Sequence, residues 1–155
     1  MAMERDRNRF KKDNLEEALI DLSRVTRVVS GGKRMRFRAT MVVGDLKGKV
    51  GVGVAKGLDV EQAITKARTV AQRNMIDVKM KGKTIPHEVK AKFGAAKVLI
   101  KPAVAGHGLV AGGAPRVVLK LAGVQDITAK CLGASSNKLN YAVATIMALK
   151  TIRSK

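Results

Sequence analysis

The chain has 155 residues, 46% of them hydrophobic, with 31 Lys and Arg against 12 Asp and Glu for a formal net charge of +19. This is apolar material for one modest core or two small ones, and too short a chain for a large catalytic domain. A field of that sign and size seeks a polyanion, because each phosphate neutralised releases condensed counterions, while the lack of any apolar run near ~18 residues excludes a membrane-spanning helix.

Residues 1–13, with Arg5, Arg7, Arg9, Lys11 and Lys12 set among acids, show no sustained apolar period. They read as a basic flexible arm and not as a secretory signal, which makes the cytosol the default compartment. Over 15–29, Leu15, Leu19, Leu22, Val25 and Val28 predict a short helix running into a strand. Gly31-Gly32 then predicts a tight hairpin turn whose flanks Arg27, Lys33 and Arg34 make a basic tip. Beyond it, Met35, Phe37, Ala39, Met41 and Val43 alternate with Arg34, Arg36, Arg38 and Thr40, the period of a strand with one apolar and one guanidinium face. The planar fork of arginine suits phosphate, and an ordinary solvated face would mix in acids. After a turn at 44–48, a strand over 49–56 carries Val50, Val52 and Val54 on its apolar side and Gly51 and Gly53 on the other. If these strands pair, a bare glycine track beside the arginine row lets an RNA backbone come close; a bulge or tight bend is the alternative. Asp59 is placed to cap a helix with the stripe Ala63, Ile64, Ala67, Val70, Ala71 and Met75, leaving Lys66, Arg68 and Arg73 outside.

A basic connection over 79–92, with Gly82 and Pro86, leads to a second unit. Its expected elements are a strand over 97–101 ending at Pro102, an irregular glycine-rich loop over 105–113, and a helix over 115–122 with Val118, Leu119 and Ala122 inward. A strand over 127–132 and a last helix with the stripe Leu139, Val143, Ile146 and Leu149 follow. Cys131 has no partner for an internal disulfide and reads as a buried thiol. One cysteine with His87 and His107 is a poor zinc site, and no nucleophile, base or acid assembles at catalytic spacing. The glycine loop lacks the Gly-Lys-Ser/Thr ending that holds nucleotide and magnesium. No catalysis, cofactor, metal or small-molecule substrate is therefore expected. With aromatics at 3%, base stacking is disfavoured, and recognition of RNA backbone and shape remains.

Residues 32–53, GKRMRFRATMVVGDLKGKVGVG, and residues 102–116, PAVAGHGLVAGGAPR, followed by Ala122-Gly123-Val124, resemble the bacterial-type, universal family of small ribosomal subunit protein five. The resemblance runs from about 15 to 149; Ala55, His107 and Lys138 depart from the family's usual glycine, threonine and proline. It implies an α+β fold of two small domains. Over 14–78 it implies a three-stranded antiparallel sheet with a helix, like double-stranded-RNA-binding modules. Over 93–155 it implies a β/α domain with a left-handed βαβ crossover. It further implies a structural, cytoplasmic component of the small subunit that binds small-subunit rRNA. Ribosomal proteins S-four, S-eight and S-three would be its neighbours, near the channel by which mRNA enters, with effects on decoding accuracy and mRNA unwinding and no homo-oligomer. The candidate rRNA-binding residues are Arg24, Arg27, Ser30, Gly31, Gly32, Lys33, Arg34, Arg36, Arg38, Lys47, Lys49, Gly51, Gly53 and Lys56. Gly108 and Arg116 match family positions at the S-four interface, where changes loosen decoding accuracy. The runner-up is a free-standing double-stranded-RNA-binding chaperone or regulator, and a third class is a small nucleotide-dependent enzyme using the glycine loop.

Overall fold

The computed structural model describes residues 15–153, and the arm expected over 1–13 lies outside the described residues. Antiparallel pairing organises the first half. Strand β1 (Glu16–Val29) runs against β2 (Gly32–Gly44) along its whole length, β2 pairs with β3 (Lys49–Gly57), and a two-residue β4 (Ile76–Asp77) joins the far edge of β3. The three expected strands are present with this short fourth.

The helix expected at the start of 15–29 is absent, because that segment is strand throughout. A bulge between Leu19 and Asp21 explains the misleading spacing. An extra residue in a strand shifts its alternation by one, so a period of two imitates the three-and-four spacing of a helix. Ala18 and Ile20 therefore both pack against the core while Leu19 and Leu22 stay largely outside.

Helix α1 (Val60–Arg73) covers one face of this sheet and begins where expected, the Asp59 carboxylate accepting from the Val60 amide at 2.8 Å. Its buried stripe is Ala63, Ala67 and Ala71. Opposite them stand Gly51, Gly53 and Gly57. A Cβ on Gly53 would sit 2.2 Å from the Ala67 carbonyl oxygen and 2.3 Å from the Ala71 nitrogen, and one on Gly51 2.2 Å from the Ala71 carbonyl oxygen. Small residues on both sides let the helix rest on the sheet almost backbone to backbone. The glycines of β3 thus serve helix packing, a use that neither the open track nor the bulge anticipated.

In the second half, β5 (Val89–Phe93), β6 (Ala96–Pro102), β7 (Leu109–Val110) and β8 (Ile127–Cys131) form a sheet in the order β5-β6-β8-β7. The short β7 lies parallel to β8, and α2 (Gly113–Leu121) makes the crossover between them. Gly113, at φ +50°, starts this helix two residues before Pro115, which the first turn tolerates. Val78 and Ile85 in and beside the 79–92 connection are buried and β5 begins inside it, so the connection is part of the core. The final helix α3 (Lys138–Lys150) buries Tyr141, Ala142, Ala144, Thr145, Ala148 and Leu149. Leu139, Val143 and Ile146 of the expected stripe are only partly buried, because α3 is enclosed on more than one side.

One apolar cluster joins the halves: Val42, Val50 and Val52 from the first sheet, Val118 and Leu121 from α2, Ala142 and Leu149 from α3, and Val98, Ile100 and Ile127 from the second sheet. The layers run α1, first sheet, α2 with α3, second sheet. Where the β2–β3 turn meets the end of α2, the Leu46 amide donates to the Leu121 carbonyl at 3.1 Å and the Gly48 amide to the Ala122 carbonyl at 3.0 Å. Gly44 and Gly123 permit this approach, since a Cβ on either would fall 2.2 Å or less from a backbone oxygen.

Gly53→Ala is expected to lower stability by about 1–3 kcal/mol, the range for overpacking a tight site. Gly31→Ala, whose Cβ meets nothing within 4 Å and whose φ lies outside the left-handed region, should stay within about 0.5 kcal/mol of the parent. Urea denaturation of the two variants checks both.

Candidate nucleic-acid interface

Pairing between β2 and β3 begins at Phe37↔Gly57, whereas β1 and β2 stay paired out to Val29↔Gly32. The outer halves of β1 and β2 therefore leave the sheet as a two-stranded ribbon closed by Ser30 and Gly31. Nothing lies within 4 Å of the Cβ positions of Gly31 or Gly32, and Gly32 takes φ +144°, so the tip is bare backbone. Arg24, Arg27, Lys33, Arg34 and Arg36 are all exposed along it.

The register sorts these cations. Arg27 stands directly opposite Arg34, Val25 opposite Arg36, and Ser23 opposite Arg38. Directly opposed side chains share a face, so Arg27 joins Arg34, Arg36 and Arg38 in one guanidinium row. Arg24 and Lys33 take the other face, beside Phe37 and Val28. Like charges directly opposed destabilise a strand pair. No carboxylate pairs with Arg27, Arg34 or Arg36 among the described residues, so the ribbon holds a repulsion that a polyanion would relieve.

Arg38 differs from the rest of its row. It is half-buried at the root of the ribbon, with its guanidinium 3.8 Å from Asp21, whose other oxygen lies 3.6 Å from the Lys138 ammonium at the start of α3. Its Nε is buried without a hydrogen-bond partner. Lys56 is exposed and opposite Arg38 in register. Lys47 projects from the β2–β3 turn, which the Asp45 carboxylate closes by accepting from the amides of Lys47 at 2.7 Å and Lys49 at 2.8 Å. The Lys49 ammonium reaches Asp77 at 4.0 Å.

Gly51 and Gly53 do not belong to this surface. Gly51 pairs with Val43 and Gly53 with Met41, on the apolar side of β2 and not beside the arginine row, and α1 covers both.

Gly108 and Arg116 lie on the segment leading through β7 into α2, with Arg116 exposed on the first turn of the helix. The glycine-rich loop before them is held from inside. Asp126, 5% exposed, accepts from the amides of Gly106 at 3.1 Å and Gly108 at 2.9 Å. Gly106 and Gly108 take φ +86° and +77°, the left-handed region glycine favours. The two amides that a phosphate cradle would use already serve the protein's own carboxylate. His107 reaches the Thr128 hydroxyl at 3.3 Å through Nε2, and His87 is exposed. Cys131 is half-buried, not buried as expected, and desolvation pushes its thiol above the ordinary pKa. Among the described residues no group of three His, Cys, Asp or Glu is placed to hold a metal, and no helix is long and apolar enough to cross a membrane.

A second basic surface is not among the sites expected from sequence. On the second sheet, Lys90, Lys92, Lys97, Lys101 and Lys130 are exposed on the face turned away from α2 and α3. The alternation of Val89, Ala91, Val98 and Ile100 with these lysines carried the signal.

Residues 15–79 match the family described as ribosomal protein S5, N-terminal domain, and residues 91–155 match ribosomal protein S5, C-terminal domain. With the two-domain α+β fold and its cationic ribbon, these matches define an RNA-binding ribosomal protein of the translation machinery. The chain belongs to the ribosomal protein S5 family, whose members are structural components of the small ribosomal subunit.

Two outcomes test the geometry above. Asp126→Ala should cost about 1.5–3 kcal/mol, the usual worth of hydrogen bonds to a charged group, and speed amide exchange at Gly106 and Gly108. Unchanged exchange there would show that the carboxylate does not hold the loop. The free protein's melting temperature should rise from low to moderate salt as screening weakens the opposed arginines.

Proposed function

We propose that the β1–β2 ribbon is the arm by which this protein grips small-subunit rRNA. Arg27, Arg34 and Arg36 contact phosphates from one face, and Arg24 and Lys33 contact them from the other. Ser30, Gly31 and Gly32 enter a crevice between rRNA helices, where a tip without bulk fits. Arg38 and Lys56 extend the row at the root of the ribbon, with Lys47 and Lys49 on the turn at the far end of the sheet. The observation that carries the reading is the free ribbon itself, five exposed cations on two strands that leave the sheet.

The Gly108–Arg116 segment is proposed as the contact with S-four, and S-eight and S-three as the further protein neighbours. In this reading the protein sits beside the channel by which mRNA enters and contributes to decoding accuracy and mRNA unwinding, in cytoplasmic ribosomes. Gly108 acts there through its backbone and Arg116 through its exposed guanidinium.

Replacing Arg34 and Arg36 by glutamine should weaken binding to a small-subunit rRNA fragment and reduce the slope of log affinity against log salt by roughly 2, about 0.9 for each phosphate no longer neutralised. Sedimentation should also show the variant washing off small subunits at a lower salt concentration than the parent. An unchanged slope with unchanged retention would remove the ribbon from the interface.

A further inference from the structure

A single carboxylate stands at the root of the guanidinium row, and a bulge puts it there. Up to Leu19, β1 alternates in step with β2, with Ala18 opposite Val42 and Leu19 opposite Met41. Unbroken alternation would carry Asp21 to the α1 side with Leu19. The inserted Ile20 turns it to the other side, opposite Thr40, with Ser23 and Arg38 as the next opposed pair on that face. Bulges beside functional sites re-aim a side chain in this way. No acid follows Asp21 in the chain until Asp45, so the ribbon has this carboxylate at its root and none further out.

Asp21 is shared between two cations. One oxygen lies 3.8 Å from the Arg38 guanidinium, and the other 3.6 Å from the ammonium of Lys138, the first residue of α3. Both separations exceed the about 2.7–2.9 Å of a charge-assisted hydrogen bond, so neither cation is locked. Glu17 on the same strand shows the other mode, with both its oxygens accepting hydrogen bonds from Arg68 of α1. That pair ties helix to sheet. The Asp21 pairs are loose, and 35% of the Arg38 side chain stays exposed, so an incoming anion can reach it. A carboxylate tethered beside Arg38 has a high effective concentration, which a lone anion in solution does not match. A polyanion already held by the outer arginines does match it, because its next phosphate is tethered too.

We propose that Asp21 is a specificity-determining residue of the ribbon. Its carboxylate occupies Arg38 in the free protein and yields it only to a polyanion anchored by Arg27, Arg34 and Arg36, while Lys138 keeps the displaced carboxylate. The inference rests on the reading that the ribbon grips RNA, and the two are tested apart. The full chain is titrated with a blunt RNA duplex and, separately, with inorganic phosphate, and the Nε–H resonance of Arg38 is followed by NMR. In the parent the duplex should shift this resonance and inorganic phosphate should not; in Asp21→Asn both should. Asp21→Asn should also tighten duplex binding roughly threefold at low salt, the weight of a partly exposed ion pair, and the gain should vanish in the Arg38→Gln background. Lys138→Gln, at an exposed side chain, leaves Arg38 as the only cation on Asp21 and should weaken duplex binding, an effect that disappears once Asp21 is Asn. A gain that persists without Arg38 is a bulk charge effect and overturns the proposal. Weaker duplex binding by Asp21→Asn also overturns it, since the carboxylate then orients Arg38 and does not compete for it. If Arg34→Gln with Arg36→Gln leaves duplex binding at the parental level, it is the ribbon reading that fails, whatever Asp21→Asn does.

Discussion

The first sheet is covered on both sides, and most of the molecule follows from that. Ala39 and Met41 face α1, while Val42, Val50 and Val52 face α2 and α3. A strand pair buried on two faces has no room for charge, and moving an unpaired guanidinium into such a layer costs several kcal/mol. The cations of β1 and β2 are consequently displaced to the length of strand that leaves the sheet. Arg38, at the boundary, shows the transition: it is half-buried, held by Asp21, and only partly satisfied.

The strand of alternating arginines was legible because its period is carried by residues 35–43 without interruption, and the same holds for Asp59 and the alanine stripe of α1. What misled was local. The bulge at Leu19 and Asp21 gave β1 the spacing of a helix, and the period of a short segment cannot distinguish one from the other. The role of Gly51 and Gly53 depended on which face of β3 a distant helix would occupy, a tertiary fact that no single strand encodes. The lysines of 79–92 mark it as a basic connection, yet Val78 beside it and Ile85 and Val89 within it are buried.

At the candidate site the sequence supplied the ribbon cations and the register supplied their grouping. That Arg27 shares a face with Arg34 and Arg36 could be known only once Val29 was seen opposite Gly32. Conversely the glycine loop at 105–113 looks permissive in sequence and is restrained in the fold, because Asp126, close in space and distant in chain, fills the place an external anion would take.

The meeting of the β2–β3 turn with the end of α2 has a mechanical meaning. Force applied at the ribbon tip travels along the hydrogen-bonded ladder of β1 and β2, and crosses to α2 through the Leu46–Leu121 and Gly48–Ala122 backbone bonds. Side-chain contacts yield by changing rotamer, whereas this route is made of backbone, with Gly44 and Gly123 leaving no slack between its parts. Ribbon, sheet and the C-terminal end of α2 are thus joined through backbone alone, from Gly31 at the tip to Ala122 at the helix end.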